Sequence, residues 1–193
     1  ISGVVSGNSG FKKTGAGTLS LTAANSSWSG AIVIDSGTVQ LGADTAAGSG
    51  LITIGDTDAS ANTHSLRLAG ATIGNDVVSK FMYTADYLGS ITAQGGVAST
   101  INGDVTIMPA VSGSPSRGGH LASTGAGSVL RLMGQLNVGG AQNVITQRDG
   151  TVEYGGGGNT AYTPPGTGTS RIPANGGIST LSKLQLGGFG AAP

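Results

Sequence analysis

Two neighbouring stretches decide how this chain reads: Thr14-Gly15-Ala16-Gly17-Thr18-Leu19-Ser20-Leu21, and Ala31-Ile32-Val33-Ile34-Asp35-Ser36-Gly37-Thr38-Val39-Gln40-Leu41. In each, aliphatic residues alternate with small or polar ones, and glycine marks where the direction changes. Period two buries one face of a strand and leaves the other in water. Glycine reaches positive φ without a Cβ penalty, so the chain turns sharply between strands.

The same grammar recurs along the chain. Leu51-Ile52-Thr53-Ile54, Ser65-Leu66-Arg67-Leu68, Asp104-Val105-Thr106-Ile107, Val129-Leu130-Arg131-Leu132, Thr151-Val152-Glu153-Tyr154 and Lys183-Leu184-Gln185-Leu186 all read as short strands. No window shows a convincing helical period. Residues 76–88 come closest, and they suit an irregular loop or strand equally well. Strands this short need stacked neighbours to be stable. A sandwich would need large side chains to fill the roughly 10 Å between its sheets, but aromatic residues are only 4% of the chain. A β-solenoid with a narrow aliphatic core is the better fit. Coils of roughly 20 residues predict about nine turns and a rod on the order of 40–45 Å.

Internal repetition points the same way. Thr14-Gly15-Ala16-Gly17-Thr18 returns as Thr124-Gly125-Ala126-Gly127-Ser128, and Asp35-Ser36-Gly37-Thr38-Val39-Gln40-Leu41 is echoed by Arg148-Asp149-Gly150-Thr151-Val152-Glu153-Tyr154. Both echoes come in the same order.

Composition narrows the function classes. Glycine supplies 37 of 193 residues, charged residues only 9%, and the formal net charge is zero. A neutral chain has no long-range field to gather polyanions, so nucleic acid is not an expected partner. Cysteine is absent, which removes disulfides and thiolate chemistry. No apolar run approaches the roughly 18 residues of a membrane-spanning helix. The termini read like those of a piece of something longer.

Candidate chemistry is sparse. Asp56 and Asp58 offer two alternate oxygen ligands but lack the central glycine and distal Glu of a calcium loop, so a solvated turn is the expectation. His64 and His120 stand far apart with no Cys or His nearby to complete a zinc site. Asp149 and Glu153 are the best acidic pair, yet four residues along a strand is about 13 Å, too far for a glycosidase pair. No Gly-x-Ser-x-Gly elbow is present. Gly155-Gly156-Gly157-Gly158 is followed by neither a helix nor a Lys-Ser/Thr step, so it reads as a turn rather than a phosphate cradle. No catalytic residue, metal or cofactor is expected. Trp28, Tyr83, Tyr87, Tyr154 and Tyr162 could form a sugar-stacking platform, although packing over a coil edge is the preferred reading of Trp28.

The run from Gly10 through Leu21 resembles the start of an autotransporter-associated β-strand repeat, also called a passenger-associated repeat. Asn25, Trp28, Ser29 and Gly30 follow its Asn, aromatic, small, Gly order, with Trp where Tyr or Phe is commoner. Ile32, Ile34, Gly37, Thr38, Val39, Leu41 and Gly42 follow its strand and Gly-Thr-Leu step. The match is good over 7–42 and loose to Gly55. Its repeat positions here are Gly15, Gly17, Thr18, Leu19, Leu21, Asn25, Trp28, Gly30, Ile34, Gly37, Thr38 and Leu41. The second copy lacks the Asn-to-aromatic step, with Gln135-Leu136-Asn137-Val138-Gly139 in its place.

The resemblance implies an all-β, right-handed parallel β-helix over 1–193, within the exported passenger of a secreted or surface-displayed bacterial protein. An adhesin shaft, spacer or extracellular assembly unit is the corresponding function. Open strand edges at the coil ends make self-association the natural partner prediction. A second reading is a module binding a glycan or surface protein through loops at 76–100 and 155–177. A third, a carbohydrate-cleaving β-helix, would need an acidic cleft that the scattered acids do not suggest.

Overall fold

The computed structural model describes residues 1–55, 64–80, 91–107, 119–138, 145–147, 151–154 and 183–186. Its first coil carries β1 (Phe11–Lys13) and β2 (Thr18–Leu21), and its second β3 (Ile32–Ile34) and β4 (Gly37–Leu41). Three strands appear from the third coil on: β5 (Ile52–Ile54), β6 (His64–Leu68) and β7 (Thr72–Ile73), then β8 (Val77–Ser79), β9 (Ile91–Gln94) and β10 (Ala98–Ile101). They continue as β11 (Val105–Ile107), β12 (Gly119–Thr124) and β13 (Val129–Leu132), then β14 (Leu136–Val138), β15 (Ile145–Gln147) and β16 (Thr151–Tyr154), with β17 (Lys183–Leu186) last.

These strands stack into three parallel sheets: β1-β3-β5-β8-β11-β14, β2-β4-β6-β9-β12-β15 and β7-β10-β13-β16-β17. Each strand pairs with its equivalent one coil away, as Leu19 with Val39 and Val39 with Leu66. The chain is a parallel β-solenoid.

Register columns build the core. In the first sheet Ile32, Ile52 and Val77 stack in line, each 0% exposed. In the second, Val39, Leu66, Ile91 and Leu121 do the same. Burial of one such side chain is worth about 1.5–3 kcal/mol. Stacking therefore supplies what an isolated short strand lacks.

Coil length departs from the uniform repeat expected. The first sheet aligns Phe11, Ile32, Ile52, Val77, Val105 and Leu136, and from Ile52 onward each step along the chain is longer than the one before. Bonds between corresponding corners show the growth: Val5 reaches Asn25 across 20 residues, Asp104 reaches Asp76 across 28 residues, and Gln135 reaches Asp104 across 31 residues. The longest sheets hold six strands among the described residues, about 24 Å of stack at the usual strand spacing. The estimate of nine turns failed because the later coils gain a third strand and a longer connection between first and second sheets. That connection is 35–36 in the second coil and 108–118 in the fifth.

The internal echo also sits differently from a simple coil repeat. The segment 14–17 turns the chain from the first sheet into β2 of the second, whereas 125–128 turns it from the second into β13 of the third. The downstream partners shift in step: β4 stacks on β2, and β16 on β13. What repeats is a corner together with the strand after it, moved on by one side of the solenoid.

Candidate functional site

Of the residues carrying the repeat pattern, Asn25, Trp28 and Gly30 lie together on the third side of the first coil, where no strand forms. Asn25 opens a turn there, with the Trp28 amide donating to the Asn25 carbonyl at 2.9 Å. The Asn25 side chain is 1% exposed and ties three layers together. Its Oδ1 accepts from the Val5 amide at 2.7 Å, and its Nδ2 donates to the Ala46 carbonyl at 2.7 Å. A buried amide with both ends satisfied stabilises this turn, whereas deleting it strands a backbone amide and a carbonyl.

Trp28 lies beside it, 2% exposed. Its Nε1 donates to the Ser9 carbonyl at 2.9 Å, and its ring stacks on Phe11 with centroids 5.5 Å apart and planes 9° from parallel. The indole thus has both its apolar face and its polar edge engaged. Neither is left for a sugar, and packing is its role. Gly30 follows because nothing larger fits: a Cβ there would overlap the Ser9 carbonyl oxygen and sit 2.5 Å from Trp28 Nε1. Gly37 combines a φ of 75° with a Cβ position that would overlap the Gly15 carbonyl oxygen.

The other repeat positions divide by face. Leu21, Ile34 and Leu41 are buried, Leu19 and Thr38 half-buried, and Gly15, Gly17 and Thr18 exposed at the first corner.

Several polar side chains that the sequence reading passed over do related work in later coils. Asn75, 2% exposed, donates through Nδ2 to the Gly50 carbonyl at 2.7 Å. Asp76 and Asp104 are neighbours in one column, accepting from the Asp104 amide and the Gln135 amide respectively, both at 2.8 Å. On another corner Ser99 accepts from the Gly70 amide and Ser128 from the Gly96 amide, each at 3.0 Å. A usable signal was present: an Asx residue stands immediately before β8 and before β11, and serine recurs at the glycine corners.

The candidate chemical groups do not assemble. Glu153 meets Arg131, its register partner, with Oε2 2.5 Å from Nε, and Asp149 lies outside the described residues. Asp56, Asp58, Tyr83, Tyr87, Tyr162 and the 155–177 segment lie outside them too. His64 is buried at the start of β6. The loop expected over 76–100 is a correction: within it Val77–Ser79 and Ile91–Gln94 are strands, and Ala98–Ile101 begins a third. These strands carry Ser79, Ala93 and Ser99 inward, small residues that give little hydrophobic signal. Among the described residues, no group of three His, Cys, Asp or Glu could hold a metal ion, and no helix is long and apolar enough to cross a membrane.

Residues 11–41 match the family model of the passenger-associated-transport-repeat. The matched segment runs from the first residue of β1 to the last of β4, so it is the strand-bearing part of the first two coils. No curated protein and no solved structure gives a match.

Proposed function

We propose that this chain is a structural β-helix module of an exported bacterial surface protein, serving as a non-enzymatic shaft or spacer. One observation carries the reading: the segment that matches the transport-repeat family is also the segment where Asn25 and Trp28 clamp successive coils. Asn25, Trp28 and Gly30 of that pattern serve internal packing, as a structural module requires. An unbroken aliphatic column and a surface without a strong net field support the same conclusion.

The test is surface display of the chain fused between an export signal and an outer-membrane barrel. Protease accessibility on intact cells would measure display for the native fusion and for Trp28→Ala. The variant is expected to be displayed several-fold less. Equal display of the two would mean that the displayed module does not depend on the Trp28 clamp, and would count against the reading.

A further inference from the structure

Within the first sheet, β8 lies between β5 and β11, and both of its ends depart from the pattern of its neighbours. The inward position after Val77 is Ser79. Its register partners are Ile54 on one side and Ile107 on the other, with Ile34 beyond Ile54. All four are between 0% and 1% exposed. A serine thus stands in an isoleucine column, and its Oγ has no hydrogen-bond partner among the described residues.

The corner leading into β8 is unusual as well. Gly30, Gly50, Gly103 and Gly134 hold the corresponding place in other coils, where a Cβ would overlap the carbonyl oxygen of an adjacent coil. Asn75 takes that place before β8, 2% exposed. Its Nδ2 donates to the Gly50 carbonyl at 2.7 Å, but its Oδ1 has no partner among the described residues. Asn25 differs, with both ends of its amide bonded. So does Ser99, the inward serine of β10 in the same coil, which accepts from the Gly70 amide at 3.0 Å. A buried polar atom left unpaired lowers stability, because folding removes its water and supplies no substitute.

We infer that β8 is a seam in the solenoid, the interior strand of the first sheet at which neighbouring coils part first. Each coil of a solenoid is held by its neighbours alone, so a poorly held layer can open without unfolding the rest. The layers on either side are better held. Ile52 and Ile54 of β5 and Val105 and Ile107 of β11 are all fully buried aliphatic residues. The first sheet therefore yields in its middle, with intact strands on both flanks.

Hydrogen exchange and two serines of one coil test this. In the native chain, amides of 77–80 should exchange faster than those of 52–54 and 105–107. Ser79→Ala and Ser99→Ala make the same deletion, one of an unpaired hydroxyl and the other of a bonded one. In denaturant melts Ser99→Ala should lower the midpoint, while Ser79→Ala leaves it level or raises it. Ser79→Val, which carries the aliphatic column through β8, should raise the midpoint and slow exchange at 77–80 several-fold. Amides of 52–54 and 105–107 should change less. If valine prevents folding, Ser79→Ala decides. A fall with Ser79→Ala equal to that of Ser99→Ala would reveal a bonded hydroxyl and overturn the inference. So would a folded Ser79→Val chain with a lower midpoint, or native exchange at 77–80 no faster than in the two flanking strands.

Discussion

The first two coils and the fourth and fifth solve one problem by different means. In the early coils the third side is a turn, 22–31 and 42–51, held by the Asn25 side chain, the Trp28 ring and glycines that admit close backbone approach. In the later coils the third side is a strand, β10 or β13, joined to its neighbours by a backbone ladder. A turn closes a coil with the least chain but requires particular side chains. A strand accepts many side chains and lets the coil lengthen, to 28 residues from Asp76 to Asp104 and 31 residues from Asp104 to Gln135. Family-specific sequence should therefore concentrate in the early coils, which is where the family match falls.

The sharpest way to break this contrast is Trp28→Ala. Loss of a fully buried indole should cost about 3–5 kcal/mol. Because each coil touches only its neighbours, hydrogen exchange should rise first in β1–β4 and leave β10 and β13 protected. Uniform loss of protection would mean that the two regions are one cooperative unit. In the aliphatic stack, Ile101→Ala in β10 should cost about 2–5 kcal/mol by denaturant melting, with the later coils opening first.

Asn25→Ala should destabilise by about 1–3 kcal/mol, since it leaves the Val5 amide and the Ala46 carbonyl without their partner. Ser99→Ala, which removes one acceptor for the Gly70 amide at a part-buried corner, should cost only about 1 kcal/mol. Equal losses from these two, measured as paired melts, would erase the distinction between side-chain closure and ladder closure. The smallest effect is Arg131→Met. Its partner Glu153 is partly exposed, so removing the pair should cost under about 1 kcal/mol, and less still at high salt.

Legibility in the sequence followed side-chain size. Thr18–Leu21, Val129–Leu132, Thr151–Tyr154 and Lys183–Leu186 were read as strands to the residue, and the other large aliphatic windows within one. Strands β9, β10 and β12 were missed because small residues such as Ala93, Ser99, Ala122 and Ser123 are buried there, 0–1% exposed. Alanine and serine leave no hydrophobic period to detect, and only a neighbouring coil explains why they are inside. The Asn25–Trp28 clamp was visible as a family pattern. The Asp76–Asp104 column was not, because its members are far apart in the chain and meet only through stacking.

By itself the sequence determined that strands form, which aliphatic faces need cover, and that Asn25, Trp28 and Gly30 belong together. Those are local matters: alternation, turn chemistry and one contiguous motif. Tertiary structure alone decided the growing coil length and the shift of the internal echo by one side of the solenoid. Each of these depends on which coil lies against which, and register between distant strands is set by the packing of whole layers rather than by any stretch of chain within one.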